Sequence, residues 1–520
     1  MPVLDDLQQF RRPRCGSKTS TRQPGIRRIG ITALLERSGH FAFLLVVLLT
    51  GCARAVEPPN ILLIYVDDLG LGDLGSYGHP VIQTPNIDAL ASGGLKLTNY
   101  YAPSALCSPS RAGLLTGRIP YRTGIKSWIP EGSGVYLREA EITLAETLKD
   151  AGYDTAHIGK WHLNSDLAST TEPQPTDQGF DYYYGHNAFQ MPTNRNPTNI
   201  YRDRTLLPMQ KGYTADLYAD EAIQWLNNRN AETPFFLYLS MAEPHTSIEN
   251  PPEYNAIYAD FTRGTAHGIP NGAGLLPPKA YSSSGESIKD QLIPRGPGEY
   301  YANITYMDAQ VGRVVDWLRE NDVADDTVIV FSSDNGPVTS DWINSWEVNA
   351  YGSTNGYRGR KHFLYEGGLR VPTIIRYPGV TTPATESNET VVGMDLFVTL
   401  TNIGGGKVPD DRAIDGIDVQ AILTGGSLPE RSIFWALDAK SDLEFAIRDG
   451  DWKLMLDRTH TPRELYNLID DPLEFFNLLD MEAEMTERLN KKAQAYLADI
   501  ANDPLRPRLG AKSTYDATPK

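Results

Sequence analysis

Two clusters of carboxylate and amide side chains stand where buried strands are predicted to end. They follow the apolar runs at 61–66 and 327–331, and their members are Asp67, Asp68, Asp334 and Asn335. Three carboxylates and one amide oxygen form a hard-oxygen ligand set, which suits Ca²⁺ or Mg²⁺ and does not suit Zn²⁺ alone. Either pair by itself is also typical of turns and helix caps. A cation site is therefore predicted only if the fold joins the two pairs.

The elements between these clusters indicate how they are positioned. The apolar runs, with a third at 234–239, have the composition of strands buried on both faces of a parallel sheet. Segments with helical periodicity separate them, at 142–151, 216–226 and 301–318. This alternation predicts an α/β fold with a large, mostly parallel central sheet flanked by helices. Ligands bind beyond the carboxyl ends of such strands, where His245 joins the two acidic clusters.

Composition and charge exclude several classes of protein. The 520 residues are 41% hydrophobic and 22% charged, which is typical of an ordinary globular chain with more than one domain. The net charge is −17, and the 465 residues after position 55 hold 39 basic and 62 acidic residues, a net charge of −23. So acidic a chain repels phosphate backbones, and we predict no nucleic-acid partner. An anionic substrate would need a locally positive pocket.

The sequence divides into four predicted regions. They are a leader at 1–55, a catalytic domain at 56–425, a small α+β domain at 426–510 with an antiparallel sheet and a helix, and a loose tail at 511–520. Residues 245–298 are rich in Pro, Gly and Ser, which predicts a long surface insertion near the site.

The leader has the pattern of an export signal. A basic stretch precedes an apolar run at 41–50, which is too short to span a bilayer and has the length of a signal-peptide core. Residues 49–52 read Leu-Thr-Gly-Cys and resemble a bacterial lipoprotein cleavage box, while 53–55 would serve ordinary signal peptidase. The expected location is the periplasm or the cell envelope, with a lipid anchor at Cys52 as the membrane attachment.

Cysteine usage singles out one residue. Cys15 and Cys52 fall in or at the edge of the leader, so the exported body holds Cys107 alone. Exported proteins normally pair their structural thiols. Cys107 is therefore either an inert buried thiol or a residue kept for its chemistry.

The segment around this cysteine carries a specific motif. Residues 106–118 read Leu-Cys-Ser-Pro-Ser-Arg-Ala-Gly-Leu-Leu-Thr-Gly-Arg. Cys-x-Pro-x-Arg followed by x-x-Leu-x-Thr-Gly resembles the signature of the formylglycine-dependent sulfatases of the alkaline-phosphatase superfamily. The resemblance implies that a formylglycine-generating enzyme, as a transient partner, oxidises Cys107 to formylglycine. The hydrated aldehyde would then act as the nucleophile.

Further motifs occur in the order of that family and extend the resemblance over 58–480. They are the opening strand at 60–70, Pro-Asn-Ile-Asp-Ala-Leu at 85–90, Gly-Lys-Trp-His-Leu at 159–163, Pro-His at 244–245, Ser-Asp-Asn-Gly at 333–336, Lys361 ahead of Glu-Gly-Gly-Leu-Arg-Val-Pro at 366–372, and Glu-Leu-Tyr-Asn at 464–467. His362 departs from the family pattern, because a small residue is commoner directly after the lysine. We expect its larger side chain to narrow the pocket.

The resemblance implies a role for each site residue. The ligands of Ca²⁺, favoured over Mg²⁺, would be Asp67, Asp68, the modified Cys107, Asp334 and Asn335. The catalytic residues would be Arg111, which holds the hydrated aldehyde, Lys160 and Lys361, which neutralise the sulfate, His162 as base and His245 as acid, helped by Lys361. Cations are needed because an anionic ester resists an anionic nucleophile.

The predicted function is that of an exported sulfatase that hydrolyses sulfate monoesters of glycans and aryl sulfates. The motifs resemble the arylsulfatase and N-acetylgalactosamine-6-sulfatase branch. An alternative is a phosphonate monoester hydrolase or phosphodiesterase, since the same superfamily uses the same nucleophile on phosphorus. A further alternative is a non-catalytic glycan-binding relative, although a binder has no need for an oxidisable cysteine.

Overall fold

Strand Asn60–Val66 lies at the centre of a ten-stranded mixed sheet. The computed structural model describes residues 58–261, 297–338, 351–439 and 441–505. The strands are β1 Asn60–Val66, β2 Leu95–Leu97, β3 Tyr100–Tyr101, β4 Asp154–Lys160, β5 Tyr182–His186, β6 Tyr201–Arg202, β7 Thr205–Leu206, β8 Phe235–Ser240, β9 Thr327–Ser333, β10 Thr373–Arg376, β11 Thr385–Ser387, β12 Val391–Val392, β13 Ser432–Ala436, β14 Leu443–Asp449, β15 Trp452–Asp457 and β16 Pro462–Asn467.

The order in the large sheet is β11-β2-β10-β9-β1-β8-β4-β5-β6-β7. The five central strands, from β9 to β5, are parallel, and antiparallel pairs join β10 to β2 and β9 on one side and β6 to β5 and β7 on the other. The predicted α/β class with a mostly parallel centre is confirmed, and the three predicted strands are β1, β8 and β9. Parallel neighbours end at the same edge of the sheet.

Helices cover both faces of this sheet. They are α1 Pro85–Ser92, α2 Cys107–Thr116, α3 Pro120–Thr123, α4 Leu144–Asp150, α5 Thr214–Asn228, α6 Pro252–Ile257, α7 Pro297–Glu320, α8 Glu366–Leu369, α9 Met394–Ile403, α10 Gln420–Leu423 and α11 Ala483–Ala501. Leu62 and Ile64 of β1 face the core beneath α1, α5 and α7, while Leu63 and Tyr65 face the core beneath α2, α4 and α9. This alternation follows from the two-residue period of a strand.

The C-terminal part forms an antiparallel sheet in the order β13-β14-β15-β16, and α11 packs against it. Its core includes Phe434, Trp435 and Leu454 together with Tyr101 and Leu369, which belong to the larger part of the chain. The described residues lie within one compact unit, Val56–Lys520. The division at 425/426 stays a prediction about sequence organisation.

Some predicted regions lie outside the described residues. These are the leader at 1–55, the tail at 511–520 and most of the insertion at 245–298. None of the helices in the described part has the length and apolar character needed to span a bilayer.

Candidate active site

The acidic clusters after β1 and β9 meet at one edge of the sheet, because the two strands are parallel neighbours. The backbone N–H of Asp68 donates to Oδ1 of Asp334 at 3.1 Å, and Nδ2 of Asn335 donates to Oδ1 of Asp68 at 2.6 Å. Asp67 and these three residues are all buried. The structure thus brings together the four side chains that the sequence singled out as candidate oxygen ligands.

This cluster has the donors that a divalent cation needs. Nδ2 of Asn335 also donates to the carbonyl of Gly336, so its Oδ1 is the free acceptor, and that atom is buried with no hydrogen-bond partner among the described residues. Leaving a buried acceptor unsatisfied costs about 1–3 kcal/mol. Burial, together with the charge of Asp67, raises the pKa of Asp334 to about 7. A crowded carboxylate set with an unsatisfied amide oxygen fits a hard cation such as Ca²⁺.

Cys107 is the first residue of α2 and lies beside this cluster. Its Sγ is 3.4 Å from Oδ1 of Asp67 and 3.1 Å from Nζ of Lys361. The helix tolerates Pro109 because the first turn needs no intrahelical N–H donor, and it ends at Gly117, whose φ of 68° is left-handed. Burial, followed by the charge of Asp67, raises the pKa of the thiol above its ordinary value. The unmodified thiol is therefore poorly suited to act as a thiolate nucleophile.

Arg111 lies one helical turn after Cys107 and is fully buried. Its Nε and Nη2 donate to Oδ2 of Asp334 at 3.1 and 2.8 Å. Its Nη1 donates to Oγ of Ser240 at 2.5 Å and to the carbonyl of Lys160 at 3.1 Å. These contacts join α2 to the ends of β4, β8 and β9, so the guanidinium fixes the cysteine-bearing helix against the sheet edge.

The two predicted lysines point at the carboxylates. Nζ of Lys160 lies 2.5 Å from Oδ2 of Asp67, and Nζ of Lys361 lies 2.6 Å from Oδ1 of Asp68. Burial opposes the charge of Lys361, yet Asp68 and Cys107 raise its pKa well above the usual value. Burial also opposes ionisation of Asp67, but Lys160 and the neighbouring cations hold the pKa of that carboxyl well below its usual range.

The formal charges of this site balance when only side chains are counted. Three cations face three carboxylates, and the six residues are Arg111, Lys160, Lys361, Asp67, Asp68 and Asp334. A bound divalent cation would leave a net charge of +2. The site would then attract an anionic ester even though the whole chain is strongly acidic.

His162 follows β4 and has the hydrogen-bonding pattern of a neutral base. Its Nε2 lies 3.2 Å from the carbonyl of Ile129, which can only accept, so the proton is assigned to Nε2. Its Nδ1 is buried and has no partner in the described part of the chain. Burial and the charge of Lys160 lower the pKa of His162 well below its ordinary value. The free lone pair on Nδ1 is therefore available to accept a proton.

His245 follows β8 and presents the opposite nitrogen. Its Nδ1 donates to the carbonyl of Thr246 at 2.8 Å, and its Nε2 lies 3.6 Å from Oδ2 of Asp68. Burial lowers its pKa to about 4. Donor atoms of His245, Asp67, Asp68 and Cys107 lie within 4.8 Å of one another. His245 thus belongs to the cluster, and it has a proton to donate from Nε2 only as the imidazolium.

Sequence reasoning missed two residues of the site. Ser240 bonds Arg111, and its only signal was its position at the end of a predicted strand. Phe189 lies beside His162 and His245, and nothing in the sequence pattern indicated it. His362, the departure from the family pattern, is buried directly after Lys361. Its backbone N–H donates to the carbonyl of Ala105 at 2.9 Å.

The fold and this edge of the sheet define a hydrolase with the alkaline-phosphatase-like architecture. The sulfatase family model matches residues 59–406, and the model for the N-sulphoglucosamine sulphohydrolase C-terminal domain matches 356–502. The chain therefore belongs to the sulfatase family and is a sulfuric ester hydrolase.

Individual relatives agree with this assignment. Human steryl-sulfatase is 34% identical over 456 residues, covering 72% of this chain and 71% of that protein. Human N-acetylgalactosamine-6-sulfatase is 32% identical over 410 residues, covering 74% and 69%. The crystal structure of Ps i-CgsB in complex with k-i-k-neocarrahexaose has a TM-score of 0.70 at 26% identity, covering 88% of this chain and 96% of that chain.

Proposed function

We propose that the chain is an exported sulfatase that removes sulfate from glycans and also accepts aryl sulfates. It uses formylglycine derived from Cys107 and a divalent cation, Ca²⁺. The observation that carries this proposal is the position of Cys107, buried at the start of α2 with Sγ 3.1 Å from Lys361 and 3.4 Å from Asp67. Once oxidised and hydrated, this side chain would supply a hydroxyl that attacks sulfur and displaces the alcohol, and a second hydroxyl whose deprotonation re-forms the aldehyde and releases sulfate.

Charge neutralisation is the first task of the site. Asp67, Asp68, Asp334 and Asn335, with the modified Cys107, would hold the cation, which supplies positive charge to the sulfate oxygens. Lys160 and Lys361 add two fixed ammonium groups at the same edge. Because these charges are buried and already in place, they stabilise the charge that develops on the ester without reorganisation.

Proton transfer is the second task. His162 accepts a proton at Nδ1, because Ile129 holds the proton on the other nitrogen. His245 donates a proton to the leaving oxygen from Nε2 once it is protonated, since Thr246 occupies Nδ1. Lys361 carries its proton already and assists at the same oxygen.

The glycan substrate and the location are parts of the same proposal. Support for a sulfated glycan comes from the similarity to N-acetylgalactosamine-6-sulfatase and to a structure with a bound neocarrahexaose. Support for export comes from the sequence of the leader, which also offers Cys52 for lipid attachment. A formylglycine-generating enzyme is the transient partner that the nucleophile requires.

Mass spectrometry tests the nucleophile. The tryptic peptide that spans 97–111 contains Cys107, and it is isolated from protein made in the native host. We expect the thiol to be replaced by an aldehyde that reacts with hydrazide reagents. An unmodified cysteine in every preparation would reject catalysis by this route and leave glycan binding as the function.

Side-by-side kinetics test the substrate. We expect turnover of 4-nitrophenyl sulfate and a N-acetylgalactosamine 6-sulfate ester, with loss of turnover after metal chelation and its return with Ca²⁺. Cys107→Ala is the matched inactive control. A preference for bis-4-nitrophenyl phosphate or a phosphonate monoester would instead assign the enzyme to phosphorus esters.

A further inference from the structure

Phe189 is a large apolar side chain that stays exposed beside the catalytic residues. Its ring centroid is 5.5 Å from that of His245 and 6.3 Å from that of His162. Nζ of Lys160 lies 6.0 Å from the same centroid. The residue is nevertheless 43% exposed, whereas the two histidines and the lysine are buried. The phenyl ring therefore lies next to the proton-transfer groups while the residue stays partly accessible.

The backbone on either side of Phe189 is held by the side chain of Asn199. The carbonyl of Phe189 accepts from Nδ2 of Asn199 at 2.6 Å, and the N–H of Met191 donates to Oδ1 of the same amide at 2.8 Å. The flanking residues Ala188 and Gln190 are each only 6% exposed. The exposed phenyl group thus stands between two buried neighbours on a backbone that is held by Asn199.

Recognition of the sulfate leaves the alcohol portion of the ester to be contacted by other groups, and among the described residues Phe189 is an exposed ring beside the two histidines. The cations at the sheet edge recognise the sulfate group, which all sulfate esters share. A flat phenyl ring offers offset stacking to an aromatic ring and apolar contact to the C–H face of a pyranose. Large apolar groups that remain exposed in a folded protein commonly mark contact surfaces.

We propose that Phe189 is a specificity-determining residue that packs against the ring of the alcohol portion, next to the sulfate. This inference rests on the proposed sulfatase function, because it places the ester over His162 and His245. The ring is contributed by an aryl group or by a sugar, and the chemistry of the contact is the same for both.

The experiment measures binding separately from turnover. Full-length Cys107→Ala protein, which cannot carry the nucleophile, is titrated calorimetrically with 4-methylumbelliferyl sulfate, N-acetylgalactosamine 6-sulfate and inorganic sulfate. Phe189→Ala and Phe189→Trp are added to this background. Met191→Ala is the matched control, since it removes another exposed apolar side chain, 55% exposed, from the same loop.

We expect Phe189→Ala to raise the Kd of the ring-bearing sulfates about tenfold and to leave that of inorganic sulfate unchanged. Phe189→Trp should keep the parental affinity, and Met191→Ala should change no Kd by more than about twofold. In the Cys107-containing enzyme, Phe189→Ala should raise KM more than it lowers kcat. A larger effect on the aryl sulfate identifies an aryl ring as the preferred group, and a larger effect on the sugar identifies a pyranose.

Three results would overturn the proposal. They are equal affinities in the Phe189→Ala and parent proteins, an equal loss with inorganic sulfate or with Met191→Ala, and no measurable binding of ring-bearing sulfates by the parent. Turnover of sulfate over phosphate esters by the wild-type enzyme decides the proposed function independently. An active sulfatase whose affinities do not depend on Phe189 would therefore reject this inference alone.

Discussion

At the scale of single residues, Lys361 connects the acidic cluster to the cysteine. Its Nζ contacts the carboxylate of Asp68 at 2.6 Å and the sulfur of Cys107 at 3.1 Å. Its side chain is only 6% exposed, so the charge acts in a poorly screened environment. A group in this position can stabilise both the nucleophile and the leaving oxygen.

Lys361→Ala should lower kcat for 4-nitrophenyl sulfate by about a hundredfold or more. Removing one preorganised hydrogen-bond donor from the active site of a hydrolase typically lowers kcat by that amount. Lys361→Arg should recover only part of the activity, because a planar guanidinium differs in shape from an ammonium. Steady-state kinetics with the purified enzyme provide the measurement. The matched control is Lys407→Ala, whose side chain is 79% exposed and pairs with Asp410. Equal rates for the wild type and Lys361→Ala would contradict the assignment.

The sequence indicated most residues of this site, but it did not indicate the side chains and backbone groups that surround them. Cys107, Arg111 and the acidic clusters belong to motifs with fixed spacing, so local sequence was enough to find them. Phe189 gave no signal, because its position beside the histidines depends on the path of an irregular loop held by Asn199. The free nitrogen of His162 likewise depends on the carbonyl of Ile129, which lies 33 residues earlier in the sequence.

At the scale of elements, helix α1 is capped from another helix. The carboxylate of Asp308, on α7, accepts from the N–H groups of Asn86 and Ile87 at 3.1 and 2.8 Å and from Nδ2 of Asn86 at 2.7 Å. The residue before the helix, Thr84, makes no capping bond with its own side chain. The start of α1 therefore depends on a contact with α7.

Asp308→Ala should lower the free energy of unfolding by about 1–3 kcal/mol, because the buried N–H of Ile87 and the half-buried N–H of Asn86 lose their acceptor. Urea denaturation followed by circular dichroism measures the change. Asp316→Ala lies on the same helix in an exposed ion pair with Arg319, and it should change stability by less than about 0.5 kcal/mol. A similar midpoint for both variants would show that the cap contributes nothing.

The sequence predicted the long elements better than the short ones. Strands β1, β8 and β9 contain continuous apolar runs and helices α5 and α7 are clearly periodic, so the hydrophobic pattern alone indicated them. The antiparallel strand Thr373–Arg376 was not predicted, since a four-residue strand beside β9 has no periodicity of its own. Strand Pro462–Asn467 was read only as a motif and completes the small sheet.

At the scale of the whole molecule, a buried ionic cluster joins the small sheet to the catalytic part. Lys453 of β15 is fully buried, and its Nζ lies 3.0 Å from Oε1 of Glu366 and 2.9 Å from Oε1 of Glu474. Oε2 of Glu366 accepts from the hydroxyl of Tyr101 at 2.5 Å. One ammonium thus serves two carboxylates at the junction between the two sheets.

Lys453→Ala should destabilise the protein by about 3–5 kcal/mol, because the Glu366 carboxylate loses its buried counter-ion and Glu474 loses its buried hydrogen-bond partner. The free energy of unfolding in guanidinium chloride is the measurement. Lys492→Ala, at a partly exposed pair with Asp449 on the same small domain, should change it by less than about 1 kcal/mol. If the two variants unfold at the same denaturant concentration, the cluster does not hold the sheets together.

The same cluster makes stability depend on pH. Burial outweighs the attraction of Lys453 and raises the pKa of Glu474 from 4.5 to about 7 in the folded protein. Between these values the unfolded chain loses its proton and the folded chain keeps it, so this group makes the protein less stable as pH rises through that window. The glutamine in Glu474→Gln does not titrate, so this variant lacks that loss of stability. The difference in urea midpoint, variant minus wild type, should therefore increase between about pH 5 and about pH 8. Glu430→Gln, at an exposed loop position, is the control, and its urea midpoint should change with pH in the same way as that of the wild type. If the midpoint of Glu474→Gln also follows the wild type at every pH, the pKa of Glu474 in the folded protein is close to its ordinary value.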